Sequence, residues 1–118
     1  MVIPLIHTMI DITRSLVIAK AIKARKKGCW YNALKAFFAY EDLQSGWYVE
    51  GYAIPGHIKT RLPLEHGWIE RADGSIIDPT WAMFGDNMAE YFPGVKYTYE
   101  DAVRVVDETE GELPTYPS

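Results

Sequence analysis

Three side chains in this sequence are of the types that together cleave or transfer amides: Cys29 in "KKGCWYNALKAF", and His66 and Asp78 in "EHGWIERADGSIIDPTW". A thiolate attacks a carbonyl carbon and an imidazole within hydrogen-bonding reach activates it. A carboxylate behind the ring fixes the tautomer and stabilises the imidazolium. Whether the three meet depends on the elements that carry them.

The stretch 29–40 offers Ala33, Ala36, Phe37 and Tyr40 at helical spacing with neither proline nor internal glycine, which predicts a helix opening at or just before Cys29. A cysteine in a first turn has its thiolate stabilised by unpaired backbone N–H groups and the positive end of the helix dipole. Lys26 and Lys27 lie beside it in sequence. The Cys29 amide is then a natural oxyanion donor. The indole of Trp47 or Trp68, or the Tyr48 hydroxyl, is a candidate second donor, with Asn32 and Gln44 as further amides.

The segments "EHGWIER" and "SIIDPTW" flank a turn whose length decides which side chains share a face. A two-residue loop of Asp73 and Gly74 pairs Ala72 with Ser75 and sends His66 and Asp78 to opposite faces. A three-residue loop of Ala72, Asp73 and Gly74, with Gly74 left-handed, pairs Arg71 with Ser75 and Trp68 with Asp78. His66 and Asp78 then become diagonal neighbours, about 7–8 Å apart at the backbone and within side-chain reach. A catalytic triad therefore requires the odd-length turn or an equivalent bulge.

The remaining pattern predicts an α+β domain with one or two N-terminal helices, the Cys29 helix packing on a small antiparallel sheet that carries His66 and Asp78. A first helix is expected over 11–27, capped by Asp11, ended by Gly28, with Ile12, Leu16, Ala19 and Ile22 as its apolar stripe. Lys20, Lys23, Arg25, Lys26 and Lys27 crowd its second half and read as a solvated, dipole-compatible helix end rather than an anion site. A strand is expected at "WYVEGYAI", a loop at "PGHIKTRLP", and irregular chain through "AMFGDNMAEYFPG". A short strand "VKYT" follows, then a helix "YEDAVRVVDE" opened by Thr98 and Asp101 as a capping box. Residues 108–118 have the composition of a flexible tail.

At 118 residues, 48% hydrophobic and 24% charged, the chain is expected to form one domain spanning 1–118. A net charge of −4 argues against general nucleic-acid binding. The apolar start is broken by Pro4 and His7 and stopped by Asp11, short of the roughly 20 residues that cross a bilayer. With no basic leader and a single cysteine, a cytoplasmic protein without a membrane span or cofactor is expected. Oligomeric state is left open.

Each residue also has a plain reading. A lone cysteine among aromatics is commonly buried and inert. His66 beside Glu65 could be ion-paired, and Asp78 before Pro79 is an ordinary turn initiator. Glu50 shares a strand face with Tyr48 and Tyr52 and is expected to pair with an arginine. Glu70 is the substitute carboxylate if Asp78 is misplaced. A zinc site built from Cys29, His66 and either His57 or Asp78 has acceptable ligand types but no short-spaced pair to support it.

Cys29 opening a helix, "EHGWIE", Gly74 and "DPTW" together resemble the transglutaminase-like branch of the papain-like cysteine hydrolases. The resemblance covers roughly residues 28–98, and "YVEGYA" and "YFPGVKY" are similar to segments of small bacterial and phage members. It implies Cys29 as nucleophile, His66 as general base and Asp78 as orienting acid, acting on a protein or peptide amide. The chain departs from the pattern before the cysteine, where larger members have a glycine-rich approach and papain-type enzymes an oxyanion glutamine; Lys23 and its neighbours offer neither. Members include proteases, amidases, deamidases, acyltransferases and noncatalytic modules, so the alternative expectation is a protein-interaction module that keeps the fold.

Overall fold

The computed structural model describes residues 10–59 and 61–109. Residues 1–9 of the apolar start and the stretch 110–118 of the expected tail lie outside them. Within the described residues the chain is α+β, ordered α1 (Ile12–Ile22), α2 (Cys29–Ala39), a single 3-10 turn, β1 (Trp47–Ile54), β2 (Leu64–Glu70), β3 (Ile76–Ile77), α3 (Pro79–Ala82), β4 (Glu90–Tyr97) and α4 (Tyr99–Glu108). The strands form one antiparallel sheet in the order β3-β2-β1-β4. Among these residues no helix is long and apolar enough to cross a membrane.

The sheet divides two apolar clusters. Tyr48, Ile69 and Ile77 lie across one another on one face and pack with Ile18, Phe37 and Ala102 of the long helices. Val49, Ala53 and Trp68 line the other face with Ile10, Ile76 and Trp81. This alternation is the period-two pattern of a sheet covered on both sides.

Helix α1 begins as expected, with Asp11 Oδ1 accepting from the Arg14 amide at 3.0 Å. It stops well short of Gly28. Lys23 takes the left-handed conformation at φ 57° and the Ala24 amide reaches back to Ala19 O at 2.8 Å, closing the last turn. Asn32 holds the chain beyond, accepting from the Arg25 amide at 3.0 Å and donating to the Arg25 carbonyl at 2.6 Å. Arg25, Lys26 and Lys27 thus belong to a loop, not to a helix end. The buried stripe is Ser15, Ile18, Ala19 and Ile22, and Leu16 is exposed.

Two further expectations are corrected. The strand expected over 75–81 is only Ile76–Ile77, because Asp78 caps α3 and Pro79 occupies its first turn, where a missing N–H costs nothing. The stretch expected to be irregular up to Gly94 is strand from Glu90 onward. Pro93 is accommodated because β4 is an edge strand whose register shifts between Glu50 and Gly51, and Gly51, lacking a Cβ, lies flat against the Phe92 and Gly94 backbone.

Candidate active site

The turn after β2 has three residues. Arg71 N–H donates to Ser75 O at 2.8 Å, Gly74 is left-handed at φ 89°, and Ile69 faces Ile77. Extending that register by one residue brings Asp78 opposite Trp68 and diagonal to His66. The side chains meet: His66 Nε2 lies 2.7 Å from Asp78 Oδ2.

Asp78 is held on every polar atom that faces inward. Its Oδ2 also accepts from the Tyr91 hydroxyl at 2.7 Å, Oδ1 accepts from the Trp81 amide at 3.0 Å, and its own amide donates to Ser15 Oγ at 3.0 Å. His66 is stacked on Trp81 at 3.8 Å between ring centroids and is almost wholly buried. The Cys29 sulfur lies near enough to the ring to favour its charged form. The first helical bond of α2 runs from the Asn32 amide to Gly28 O at 2.7 Å, so the amides of Cys29, Trp30 and Tyr31 precede the ladder at the sulfur's end of the helix.

Gly67 makes this approach possible. A Cβ placed there would lie 3.0 Å from Trp30 Cε3, 3.3 Å from Trp30 Cα and 3.5 Å from Cys29 O, so the first turn of α2 rests directly on β2 one residue from His66. Gly67→Ala is expected to lose about 1 kcal/mol in urea unfolding. Overpacking costs about 1–3 kcal/mol, and removing a glycine from the unfolded chain returns about 0.4–1 kcal/mol. Unchanged stability together with unchanged Cys29 alkylation would show that the turn has room to move.

Burial alone would lower the His66 imidazole, but the Asp78 carboxylate and then the Cys29 sulfur raise it to about 9 from an ordinary 6.5. The charged ring is therefore a stabilising element below pH 6.5, and its contribution is lost as pH rises through about 9. A displacement of that size corresponds to about 3 kcal/mol. Wild type is expected to lose about that much more stability than His66→Gln between pH 6 and about pH 9.5, read as urea unfolding free energies. Parallel pH profiles for the two proteins would show that the ring is neutral in the fold.

The other nominated donors separate clearly. Tyr48 is buried and its hydroxyl already donates to Glu50 Oε2 at 2.8 Å; burial and then Glu50 push it well above its ordinary range. Glu50 thus meets a tyrosine where an arginine was expected. Trp47 pairs with Glu70 while His66 pairs with Gly51, about 13 Å further along β1, and its ring carries Lys96. Asn32 spends both amide protons, on Arg25 O at 2.6 Å and Thr80 Oγ1 at 2.7 Å. Gln44 donates to Phe37 O at 3.1 Å at the opposite end of α2. Trp68 is fully buried on the face of His66, and among the described residues its indole Nε1 is the buried side-chain polar atom without a hydrogen-bond partner. Glu70 pairs with Lys96 at 3.1 Å.

A second pair stands behind the first. Asp86 accepts from His57 Nδ1 at 2.6 Å and from the amides of Gly56, His57 and Met88 at 2.8, 3.2 and 3.0 Å. Burial opposes its charge, yet these donors, His57 foremost, hold it below the usual carboxylate range. His57 stacks on Phe84 and meets the edge of Trp81, so the pair braces the ring on which His66 lies. Among the described residues no three His, Cys, Asp or Glu side chains converge as metal ligands. Sequence reasoning missed Ser15, Gly67, Tyr91 and Asp86. Only Tyr91 left a signal, as the first of two adjacent aromatics in "YFPG", three residues before Gly94.

No protein-family model, curated protein or solved structure matches this chain. Its chemistry is read from the site.

Proposed function

We propose that the chain is a cysteine-dependent amide hydrolase or acyltransferase with a papain-like core of the transglutaminase-like kind, working through a thioester at Cys29. One observation carries this reading: a single buried imidazole is held by Asp78 at 2.7 Å, and the Cys29 sulfur lies near enough to that ring to favour its charged form. An imidazole so placed can take the proton of a thiol as it attacks a carbonyl carbon.

In this reading the sulfur attacks the carbonyl carbon and the oxyanion draws on the Cys29 amide. His66 then gives its proton to the departing amine, the C–N bond breaks and the thioester forms. Water or a second amine attacks the thioester while His66 takes the proton back, and the sulfur leaves. Hydrolysis and transfer differ only in that last nucleophile.

The test is acyl capture. With p-nitrophenyl acetate, wild type is expected to gain the mass of one acetyl group and lose it on adding hydroxylamine, whereas Cys29→Ala gains none. No adduct on wild type, or acetylation unchanged in His66→Ala, would favour the noncatalytic interaction module.

A further inference from the structure

Residues 12–40 hold seven of the twelve basic side chains and none of the sixteen acidic ones, which gives this segment +7 in a protein of net charge −4. The asymmetry is focused on a cleft. Lys23, Arg25, Gly28, Tyr31, Asn32 and Lys35 line a space of about 350 Å³. Gly28 is the residue before the Cys29 sulfur.

The cleft is built rather than merely charged. Asn32 fixes both backbone groups of Arg25, at 3.0 and 2.6 Å. Lys35 Nζ crosses to the Ile22 carbonyl at 3.1 Å, and an ammonium has two more protons to give. Lys23 sits at φ 57°, a conformation glycine would take at lower cost, so a cationic side chain stands where the backbone alone favours none. Among the described residues Lys23, Arg25 and Lys35 pair with no carboxylate, whereas Arg14, Arg71 and Lys96 each do.

We infer that this cleft binds carboxylate side chains of an acidic peptide, within two or three residues of the amide that Cys29 attacks. The inference rests on the proposed reading of Cys29 and adds the substrate class. Lys35 stands about 9 Å from Cys29 along the helix axis, which an extended peptide covers in about three residues. A nucleic acid fits less well, because the rest of the chain carries sixteen acidic against five basic residues and repels a long polyanion.

The experiment compares Cys29 alkylation by chloroacetyl-Glu-Glu amide and chloroacetyl-Gln-Gln amide, in which sulfur displaces chloride to form a thioether. At low salt the Glu-Glu probe is expected to react about tenfold faster, with the advantage shrinking as salt is added. In Lys23→Gln/Arg25→Gln, at two exposed positions, the ratio is expected to fall toward one. Equal rates in wild type, or a preference that survives in the variant, would overturn the assignment. Titration with unreactive acetyl-Glu-Glu amide, followed by the backbone amide resonances of Gly28 and Lys35, separates the two readings. Saturable shifts without thiol reactivity keep the cleft and remove the enzyme. Reactivity without shifts removes the cleft. A single-stranded oligonucleotide that displaces the peptide at lower concentration would overturn the peptide assignment.

Discussion

His66→Ala is expected to slow iodoacetamide alkylation of Cys29 about a hundredfold near pH 6.5, a loss of the size an imidazole partner ordinarily provides. At that pH the ring is charged, since Asp78 and the sulfur hold it protonated to about 9 against the cost of burial. Removing it leaves the sulfur with the amides of the first turn of α2 and the cations of the neighbouring basic segment, without a base in reach. Above about pH 9 the ring is neutral in wild type as well, so the two rates are expected to converge. With one cysteine in the chain, the alkylated mass reports on this sulfur alone. A ratio near one across the pH range would mean that the contact between ring and sulfur is structural.

The geometry behind that expectation was legible where backbone chemistry constrains it locally. Gly74 could take the left-handed turn position, and a three-residue loop then placed His66 and Asp78 on one face; the structure has that loop and that contact. The opening of α2 at Cys29 and the bounds of β1 followed from apolar spacing. What stayed hidden depends on tertiary partners. Nothing in "DITRSLVIAK" marks Ser15 as the residue that anchors the Asp78 amide, because its value exists only once α3 lies against α1. Gly67 reads as one more glycine until α2 rests on it. The early end of α1 was missed because Lys23 is an unusual residue for a left-handed cap, and Asn32, which holds the Arg25 backbone just beyond it, comes from α2.

Asp78→Ala is expected to cost about 3–5 kcal/mol of stability, a large share of the roughly 5–15 kcal/mol that holds a domain of this size. Three donors lose their acceptor at once: His66 Nε2 and the Tyr91 hydroxyl, each at 2.7 Å, and the Trp81 amide at 3.0 Å. Losing the helix cap accounts for about 1 kcal/mol, and most of the rest comes from leaving a charged ring buried without its counter-ion. Asp78→Asn divides stability from chemistry. Its carbonyl oxygen is pinned on the Trp81 amide, since turning it would set two N–H donors against each other, so the amide nitrogen faces His66. The ring must then accept at Nε2 and carry its proton on the side of Cys29, where it can no longer take one from the thiol. Stability is expected to fall by only about 1–3 kcal/mol, the cost of one mismatched buried bond, while alkylation near pH 6.5 slows at least about tenfold. Urea unfolding and alkylation rates on the same samples check both. A variant that keeps wild-type reactivity would show that Asp78 is a helix cap that happens to touch a histidine.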